Sequence, residues 1–226
     1  IRAETAIPIG LALIQKGMSI GTVMALIIGI VGSLICVYAL AYMRDYHGHH
    51  REVADHRKSF FFTLFFFLSG MFGVVFANNL AWMFFFWEVT TLCSFVLIGY
   101  SKTTEAIDNS FLALVLNLVG GIGFVGALLW LGMTQGTIEL DRLVGAGAAV
   151  ALVPATLISF AGLTKSAQLP FSSWLLGAMV APTPVSALLH SATMVAAGVF
   201  LFARLFPLFS LSPTTMAVCL VIGTCW

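Results

Sequence analysis

The chain has 226 residues, of which 60% are hydrophobic and only 8% are charged, whereas soluble domains are close to one quarter charged. This composition indicates a protein embedded in a lipid bilayer and excludes an ordinary soluble domain. The net charge of +1 supplies neither a basic arm nor an acidic tail, so no nucleic-acid partner is expected.

The apolar residues occur in runs long enough to cross a bilayer, which takes roughly 20 residues in a helix. Helices are favoured over a β-barrel because the run from Phe60 to Phe76 is apolar on every face, whereas a barrel strand alternates polar and apolar residues. The predicted fold is therefore all-α, a polytopic transmembrane helix bundle forming a single domain over residues 1–226. The predicted spans are about 18–43, 60–77, 80–100, 110–133, 150–182 and 184–206, with the start of another at 214–226.

The two ends of the chain lead us to expect a fragment of a longer protein. Residues 1–17 do not open with methionine, and they mix charges and a proline into a run that fits neither a signal peptide nor a span. At the other end, the chain stops at Trp226 inside the apolar run that starts near Thr214.

The loop over residues 43–58 is the most polar stretch of the chain. It contains four basic residues and four histidines, which are Arg44, Arg51, Arg57, Lys58, His47, His49, His50 and His56. The same side of the membrane receives Lys102, and the opposite side receives Arg2, Lys16, Arg142 and Arg204. The positive-inside rule therefore favours a cytoplasmic loop by only a small margin. The histidines could bind a divalent metal, but they stand among seven charged residues, so a solvated connector is the favoured interpretation.

The fifth span is interrupted by prolines and polar residues. Pro154 suits the first turn of a helix, and if the helix begins there, the element runs for about 29 residues to Pro182. Pro170 stands near the middle, directly after a polar stretch, and proline removes a hydrogen-bond donor and clashes with the preceding turn. We therefore expect the helix to break near residues 168–171. Such a break in the membrane is tolerated only inside protein or beside a wet cavity.

Glu88 lies near the middle of the third span. A carboxylate at that depth costs at least ~2.5 kcal/mol on insertion scales, so it should face the bundle interior and have a partner or a proton. The alternative is a purely structural role, in which a protonated glutamic acid only joins helices through hydrogen bonds. An acid inside the membrane is a functional candidate by default.

Lys165 lies just before the predicted break, where its ammonium group can meet freed backbone carbonyls as well as a carboxylate. Burial disfavours the charged form of lysine and a nearby carboxylate favours it, so moving the partner can switch the lysine between its two forms. The alternative is a lysine that extends to the membrane surface, which requires the span to end near residue 165.

His190 lies within two turns of the centre of the sixth span. Imidazole titrates near neutrality and can accept a proton on one nitrogen while donating from the other, which suits a relay. A lone histidine on an apolar face is also often a satisfied core residue. The hydroxyls that could support a relay are Ser166, Ser186, Ser191 and Thr193.

No cofactor or metal is predicted in this chain. The cysteines Cys36, Cys93, Cys219 and Cys225 show neither C-x-x-C nor Cys/His ligand spacing. Only one histidine lies at membrane depth, whereas bis-histidine heme ligation needs two. The G-x-G-x-x-G pattern of Gly121, Gly123 and Gly126 lies inside an apolar span and follows no strand, so it indicates close helix packing rather than a dinucleotide site.

Two segments resemble a known family. They read FFFWEVTTLCSFVLIGY and LTKSAQLPFSSWLLGAMVAPTPVSALLHSATMVAAGVFLFARL, and they are similar to the core of the antiporter-like subunits of respiratory complex I, Mrp-type cation/proton antiporters and energy-converting membrane-bound hydrogenases. The likeness extends from about Gly17 onward and is greatest to the largest subunit type. It implies that this chain matches the first half of an inverted-repeat fold with a broken helix.

The resemblance also implies roles for three residues. Glu88 matches the glutamate that pairs with the lysine of the broken helix, Lys165 matches that lysine, and His190 matches the central relay histidine of the next helix. Pro170 belongs to the break. The implied function is proton transfer through a buried Glu/Lys/His chain.

The chain departs from the family pattern after the third span. Complex I subunits usually carry Asn-Arg followed by Gly-Asp there, whereas this chain has Asn117, Leu118, Val119, Gly120 and Gly121. This departure makes a hydrogenase-type or Mrp-like relative competitive with complex I. Mrp relatives often place a lysine soon after HSATMV, where this chain has alanines, which favours the hydrogenase or complex I assignment.

The leading hypothesis is a proton-translocating subunit of a redox-driven pump in an energy-coupling membrane, either a bacterial or archaeal plasma membrane or an organelle inner membrane. Its expected partners are other membrane and peripheral subunits, the lipid bilayer and H⁺, with Na⁺ as the alternative ion. Any enzymatic redox activity would belong to those other subunits. The alternatives are an Mrp-type Na⁺/H⁺ antiporter, in which Glu88 and the broken helix bind the cation, and a membrane scaffold whose buried charges only fix helix register.

Overall fold

The computed structural model describes residues 12–50, 53–143 and 148–224, without the side chains at 141, 143, 148–151, 191 and 192. Within these ranges the chain is helical, with one isolated bridge between Asn79 and Glu139 and no strand. The helices are α1 (Ile20–His49), α2 (Arg57–Phe76), α3 (Leu80–Ile98), α4 (Thr104–Gln135), α5 (Leu140–Leu143), α6 (Ala148–Lys165), α7 (Ser173–Gly177), α8 (Thr183–Arg204), α9 (Phe206–Ser210) and α10 (Pro213–Thr224).

Five of these helices are long and apolar enough to cross a membrane: α1, α2, α3 with its 3₁₀ extension to Ser101, α4 and α8. The predicted all-α polytopic bundle is therefore confirmed. Two helices extend beyond the apolar runs that predict them. The polar turn through His49 continues α1, and α4 begins at Thr104 because the Thr103 hydroxyl accepts a hydrogen bond from the Ala106 amide.

Contacts between loops fix which residues share an end of the bundle. At one end, His47 Nε2 lies 2.8 Å from Tyr100 Oη, which joins the end of α1 to the turn after α3. At the other end, the Leu80 amide donates to Ile138 O at 2.9 Å. The Arg204 guanidinium donates to Val75 O at this second end.

The basic residues separate between these two ends as the sequence predicts. Lys102 lies on the side of the 43–58 loop, and Arg142 and Arg204 lie on the opposite side. Arg2 and Arg51 are outside the described residues.

In the loop, hydrogen bonds from the Arg57 guanidinium hold the pKa of the exposed Asp55 carboxyl at about 2.

The fifth predicted span is a broken helix, as expected. Helix α6 ends at Lys165 and α7 begins at Ser173. Ala167, with φ +55°, takes the left-handed conformation that ends many helices, and Pro170 cannot donate a backbone hydrogen bond. Pro154, however, lies six residues after the start of α6 rather than in its first turn. No capping residue in the sequence reveals the earlier start.

A π-helical turn interrupts α8. It runs over Leu188–Ala192 and ends at Thr193, whose φ of −131° and ψ of −81° depart from helix geometry. The Thr193 hydroxyl donates a hydrogen bond to Leu188 O across this turn. Single π turns inside α-helices are frequent at functional sites.

Glycines allow α2 and α3 to approach closely. A Cβ atom at Gly73 would overlap the Phe86 ring at Cγ, the root of the ring, which cannot swing away by a simple rotation. Gly73 thus sets how closely α2 and α3 pack against each other.

We expect Gly73→Ala to lower the free energy of unfolding by about 1–3 kcal/mol, as overpacking usually does. Gly132→Ala in α4 is the matched control, because a Cβ there meets no atom within 4 Å and alanine favours helix by up to ~1 kcal/mol. Thermal unfolding in detergent measures both. Equal melting temperatures for the two variants would contradict the packing argument.

Trp174 joins the two sides of the break. Its side chain is buried, and its indole Nε1 donates to Thr164 O at 2.9 Å, one residue before Lys165. We expect Trp174→Phe to keep most of the packing and to lose this hydrogen bond, at a cost of about 1 kcal/mol. Amide hydrogen exchange should accelerate at residues 166–173 and stay unchanged in α2. Unchanged exchange at residues 166–173 would show that the indole hydrogen bond does not stabilise the broken segment.

Candidate functional site

Lys165 is fully buried, and its charge is met by polar atoms of α3. Its Nζ donates to Trp87 O at 2.9 Å and to Thr91 Oγ1 at 2.7 Å, and it lies 5.0 Å from the centre of the Trp87 ring. The predicted carbonyl partners at its own helix break are not used; a carbonyl of α3 takes that role. Two of the three ammonium hydrogens are thereby satisfied by the protein.

Glu88 follows Trp87 directly but turns its carboxyl group towards α4. Both carboxyl oxygens are buried, and neither accepts a hydrogen bond of normal geometry. A Cβ atom at Gly121 would overlap Oε1, so this glycine makes the space that the carboxyl group occupies. The ion pairs of the described residues that are shorter than 4.0 Å do not include one between Glu88 and Lys165.

The expected direct pair of Glu88 and Lys165 is therefore not formed in this structure. The physical reason is that Trp87 O and Thr91 already hold the ammonium group, while the carboxyl group packs on Gly121. A pair within hydrogen-bond distance requires a movement of one of these side chains.

Glycines on one face of α4 bring the helices of the site together. A Cβ atom at Gly120 would overlap the Thr164 hydroxyl of α6, and one at Gly123 would lie 3.0 Å from Leu157 O. Gly126 also packs against Leu157. The G-x-G-x-x-G pattern thus serves close helix packing, as predicted.

His190 lies in the π turn, half-buried, and its Nε2 atom is buried without a hydrogen-bond partner. One α8 residue that touches the end of α6 is Gly198, where a Cβ would lie 2.6 Å from Gly162 O and 2.9 Å from Ser166. His190 is eight residues away from that contact, which is about 12 Å along a helix. The structure therefore places His190 in the same bundle, and among the described residues it forms no hydrogen bond or ion pair with Lys165 or Glu88.

The hydroxyls expected to support a relay form hydrogen bonds with their own backbone. Ser166 Oγ donates to Gly162 O at 2.7 Å, and Ser186 Oγ lies 3.4 Å from Ala181 O. Thr193 bonds to Leu188 O, as described above. The Ser191 side chain lies outside the described part of the chain, and Pro170 is exposed at the break.

Several polar groups at the site were not singled out from the sequence. Thr91 contacts Lys165, and Asn117 in α4 is buried with its Oδ1 unpaired while its Nδ2 donates to Ala113 O at 2.8 Å. Ser159 Oγ and Gln168 Oε1 are also buried and unpaired. The available signals were the i, i+4 spacing of Trp87 and Thr91 and the presence of an amide inside an apolar span.

The histidine-rich end of the bundle has local contacts. His49 Nδ1 lies 3.0 Å from Asp45 O, and His50 Nδ1 lies 3.1 Å from Tyr46 O, one helical turn earlier in each case. Across the described ranges, no three side chains of His, Cys, Asp or Glu are grouped so that they could hold a metal ion.

Comparison with known proteins places this site in a family. Residues 77–225, which include Glu88, Lys165 and His190, match the family described as NADH:quinone oxidoreductase/Mrp antiporter, TM. The chain is similar to a probable K(+)/H(+) antiporter protein of Rhizobium meliloti (strain 1021), with 41% identity over 78% of this chain and 18% of that protein. It is also similar to the chloroplastic NAD(P)H-quinone oxidoreductase subunit 5 of Poa pratensis, with 37% identity over 90% of this chain and 29% of that protein.

A solved structure agrees with these relatives. The chain is similar to a chain in the structure of the Mrp complex from Dietzia sp. DQ12-45-1b, with a TM-score of 0.58 and 39% identity over 62% of this chain and 16% of that chain. The chain thus spans less than a third of the length of the two curated relatives. Its matched residues, its membrane-spanning helices and its broken helix agree: the chain is a multi-pass integral membrane protein that belongs to the NADH:quinone oxidoreductase/Mrp antiporter transmembrane family.

Proposed function

We propose that this chain contains a proton-transfer centre of an antiporter-like subunit in a redox-driven ion pump, with Lys165 as the proton carrier. The observation that supports this most directly is the burial of the Lys165 ammonium group at the end of a broken helix, held by only two neutral oxygens. Water would solvate such a charge better than these oxygens do, so its protonation depends on what approaches it.

Glu88 is the group proposed to control that protonation. At an effective dielectric of about 20, a carboxylate 4 Å from the ammonium group stabilises it by about 4 kcal/mol, or roughly a thousandfold in proton affinity. When the carboxyl group packs on Gly121, beyond ion-pair distance, this stabilisation is weakened. Movement of Glu88 between the two positions would load and release the proton.

His190 is proposed to receive the proton further along the bundle. Its unpaired Nε2 provides a proton acceptor in a buried place, and the interval of about 12 Å along α8 calls for bridging water rather than direct contact. The unpaired oxygen of Gln168, in the break, provides a polar group for such water.

The rest of the machinery is assigned to other subunits. The curated relatives are named as subunits of a cation/proton antiporter and of a quinone oxidoreductase, and we infer that this chain likewise works within a multisubunit membrane complex. Electron transfer, and any cofactor that it needs, would belong to the partners.

A second candidate function is cation/proton exchange, favoured by the name of the Rhizobium meliloti relative. In that case the two unpaired carboxyl oxygens of Glu88 would bind Na⁺ or K⁺ directly. Reconstitution of the full-length protein with its complex distinguishes the two functions: exchange driven by a Na⁺ or K⁺ gradient without an electron donor supports the second, and proton uptake that needs the donor supports the first.

We expect Lys165→Ala and Glu88→Gln, made in the full-length protein within its complex, to reduce proton pumping to background because the carrier or its control is lost. Lys58→Ala is the matched control, since that lysine is exposed at the start of α2. Quenching of a pH-sensitive dye in inverted membrane vesicles measures pumping, and electron-transfer rates confirm assembly. Undiminished pumping in both variants would favour the scaffold interpretation.

Thr91→Val should lower the pumping rate by about ten- to a hundredfold, the equivalent of one hydrogen bond to a charged group. Thr90→Val is a close control: Thr90 is also buried and also bonds to Trp87 O, at 2.7 Å, but donates nothing to and accepts nothing from Lys165. The pH dependence of pumping should shift in Thr91→Val only. An equal loss in both variants would show that Lys165 does not depend on Thr91.

A further inference from the structure

One buried polar residue that the proposed function does not use is Asn117. Its side chain is 1% exposed in the middle of α4, and its Oδ1 has no hydrogen-bond donor. A buried amide oxygen without a donor costs free energy, so native proteins rarely leave one unpaired unless water or another ligand completes it. Asn117 therefore needs a partner that the neighbouring side chains do not supply.

The packing of α3 against α4 fixes where Asn117 lies. Along these antiparallel helices, Phe84 packs on Phe124, Glu88 on Gly121 and Gly99 on Ser110. In antiparallel helices, residues that face each other have numbers that add to nearly the same total, and these three contacts do so. By the same total, the residues of α3 opposite Asn117 are Thr91 and Leu92. That is the level at which Thr91 binds the Lys165 ammonium group.

The packing of α4 against α6 gives the same position independently. Gly120 packs on Thr164, and Gly123 packs on Phe160. Asn117 is one turn before Gly120 on the same buried face of α4, which places it level with the end of α6 beside Lys165. Asn117 is thus level with Lys165, and the Glu88 carboxyl group, at Gly121, lies one helical turn further along α4.

The unsatisfied hydrogen-bonding groups of these three residues match one water molecule. Lys165 has one ammonium hydrogen left after its bonds to Trp87 O and Thr91, while the unpaired atoms of Glu88 and Asn117 are all acceptor oxygens. A water molecule accepts one hydrogen bond and donates two, so it can satisfy the lysine, the carboxylate and the amide together. No direct contact among the three residues does this.

We propose that Asn117 is a positioning residue of the Glu88–Lys165 centre, and that one buried water molecule joins its amide oxygen to the Glu88 carboxyl group and the Lys165 ammonium group. The role in transport rests on the proposed function. The water joins the two groups without direct contact: its oxygen accepts a hydrogen bond from the Lys165 ammonium group, one of its hydrogens is donated to the Glu88 carboxyl group, and the other is donated to Asn117 Oδ1. Asn117 thereby positions the water and takes no proton itself.

The test is infrared difference spectroscopy of the full-length protein in its complex, comparing high and low pH. The carboxyl band of Glu88 is assigned by its loss in Glu88→Gln, and the bridging water by the shift of its O–H band in H₂¹⁸O. In Asn117→Leu, we expect the water band to disappear and the Glu88 band to shift. Asn117→Ser, which keeps a hydroxyl oxygen, should restore the water band with a weaker shift.

Ser110→Ala is the control, because Ser110 is buried on the same helix face and bonds only to Ile107 O. Pumping should fall about tenfold in Asn117→Leu, the effect of losing one hydrogen bond, and stay unchanged in the control. Unaltered water and Glu88 bands in Asn117→Leu would overturn the proposal. If the bands change while pumping persists in Lys165→Ala, the water site stands and the proposed function fails.

Discussion

A buried ammonium group is costly unless oxygens replace the water that it loses, and the architecture around Lys165 provides those oxygens. Trp87 O and Thr91 Oγ1 come from α3, at 2.9 Å and 2.7 Å. For a lysine of α6 to reach them, α6 has to end at the right depth and α3 has to lie close beside it. The end of α6 at Lys165, the indole bond from Trp174 to Thr164 and the glycine face of α4 all contribute to that placement.

The glycines of α4 decide how the carboxyl group and the ammonium group are separated. Gly120 lets α6 approach, and Gly121 gives Glu88 a place away from Lys165. The separation leaves both groups under-satisfied, which would be a defect in a purely structural bundle. In a proton carrier it would be useful, because a small movement of the carboxyl group changes how strongly the ammonium group is stabilised.

The sequence predicts the bundle, the break and the candidate residues because each depends on local chemistry. Apolar runs predict the helices, Pro170 and the polar stretch before it predict the break, and the cost of burying charge marks Glu88 and Lys165. The partners of these residues depend on helix register, which no local pattern reveals. Thr91 and Asn117 therefore emerge only from the packing of α3, α4 and α6, and Pro154 inside α6 shows that a proline alone does not locate a helix start.

The π turn over Leu188–Ala192 divides α8 into two helical surfaces that do not continue one another. A π turn contains about one residue more than an α turn, so the residues before and after it are rotated by roughly 100° relative to an uninterrupted helix. A helical wheel drawn through the whole of Thr183–Arg204 would therefore assign His190 and Gly198 to the wrong relative faces. The segment before the turn and the segment after it can therefore each pack against a different neighbouring helix. The His190 imidazole lies in the π turn between them.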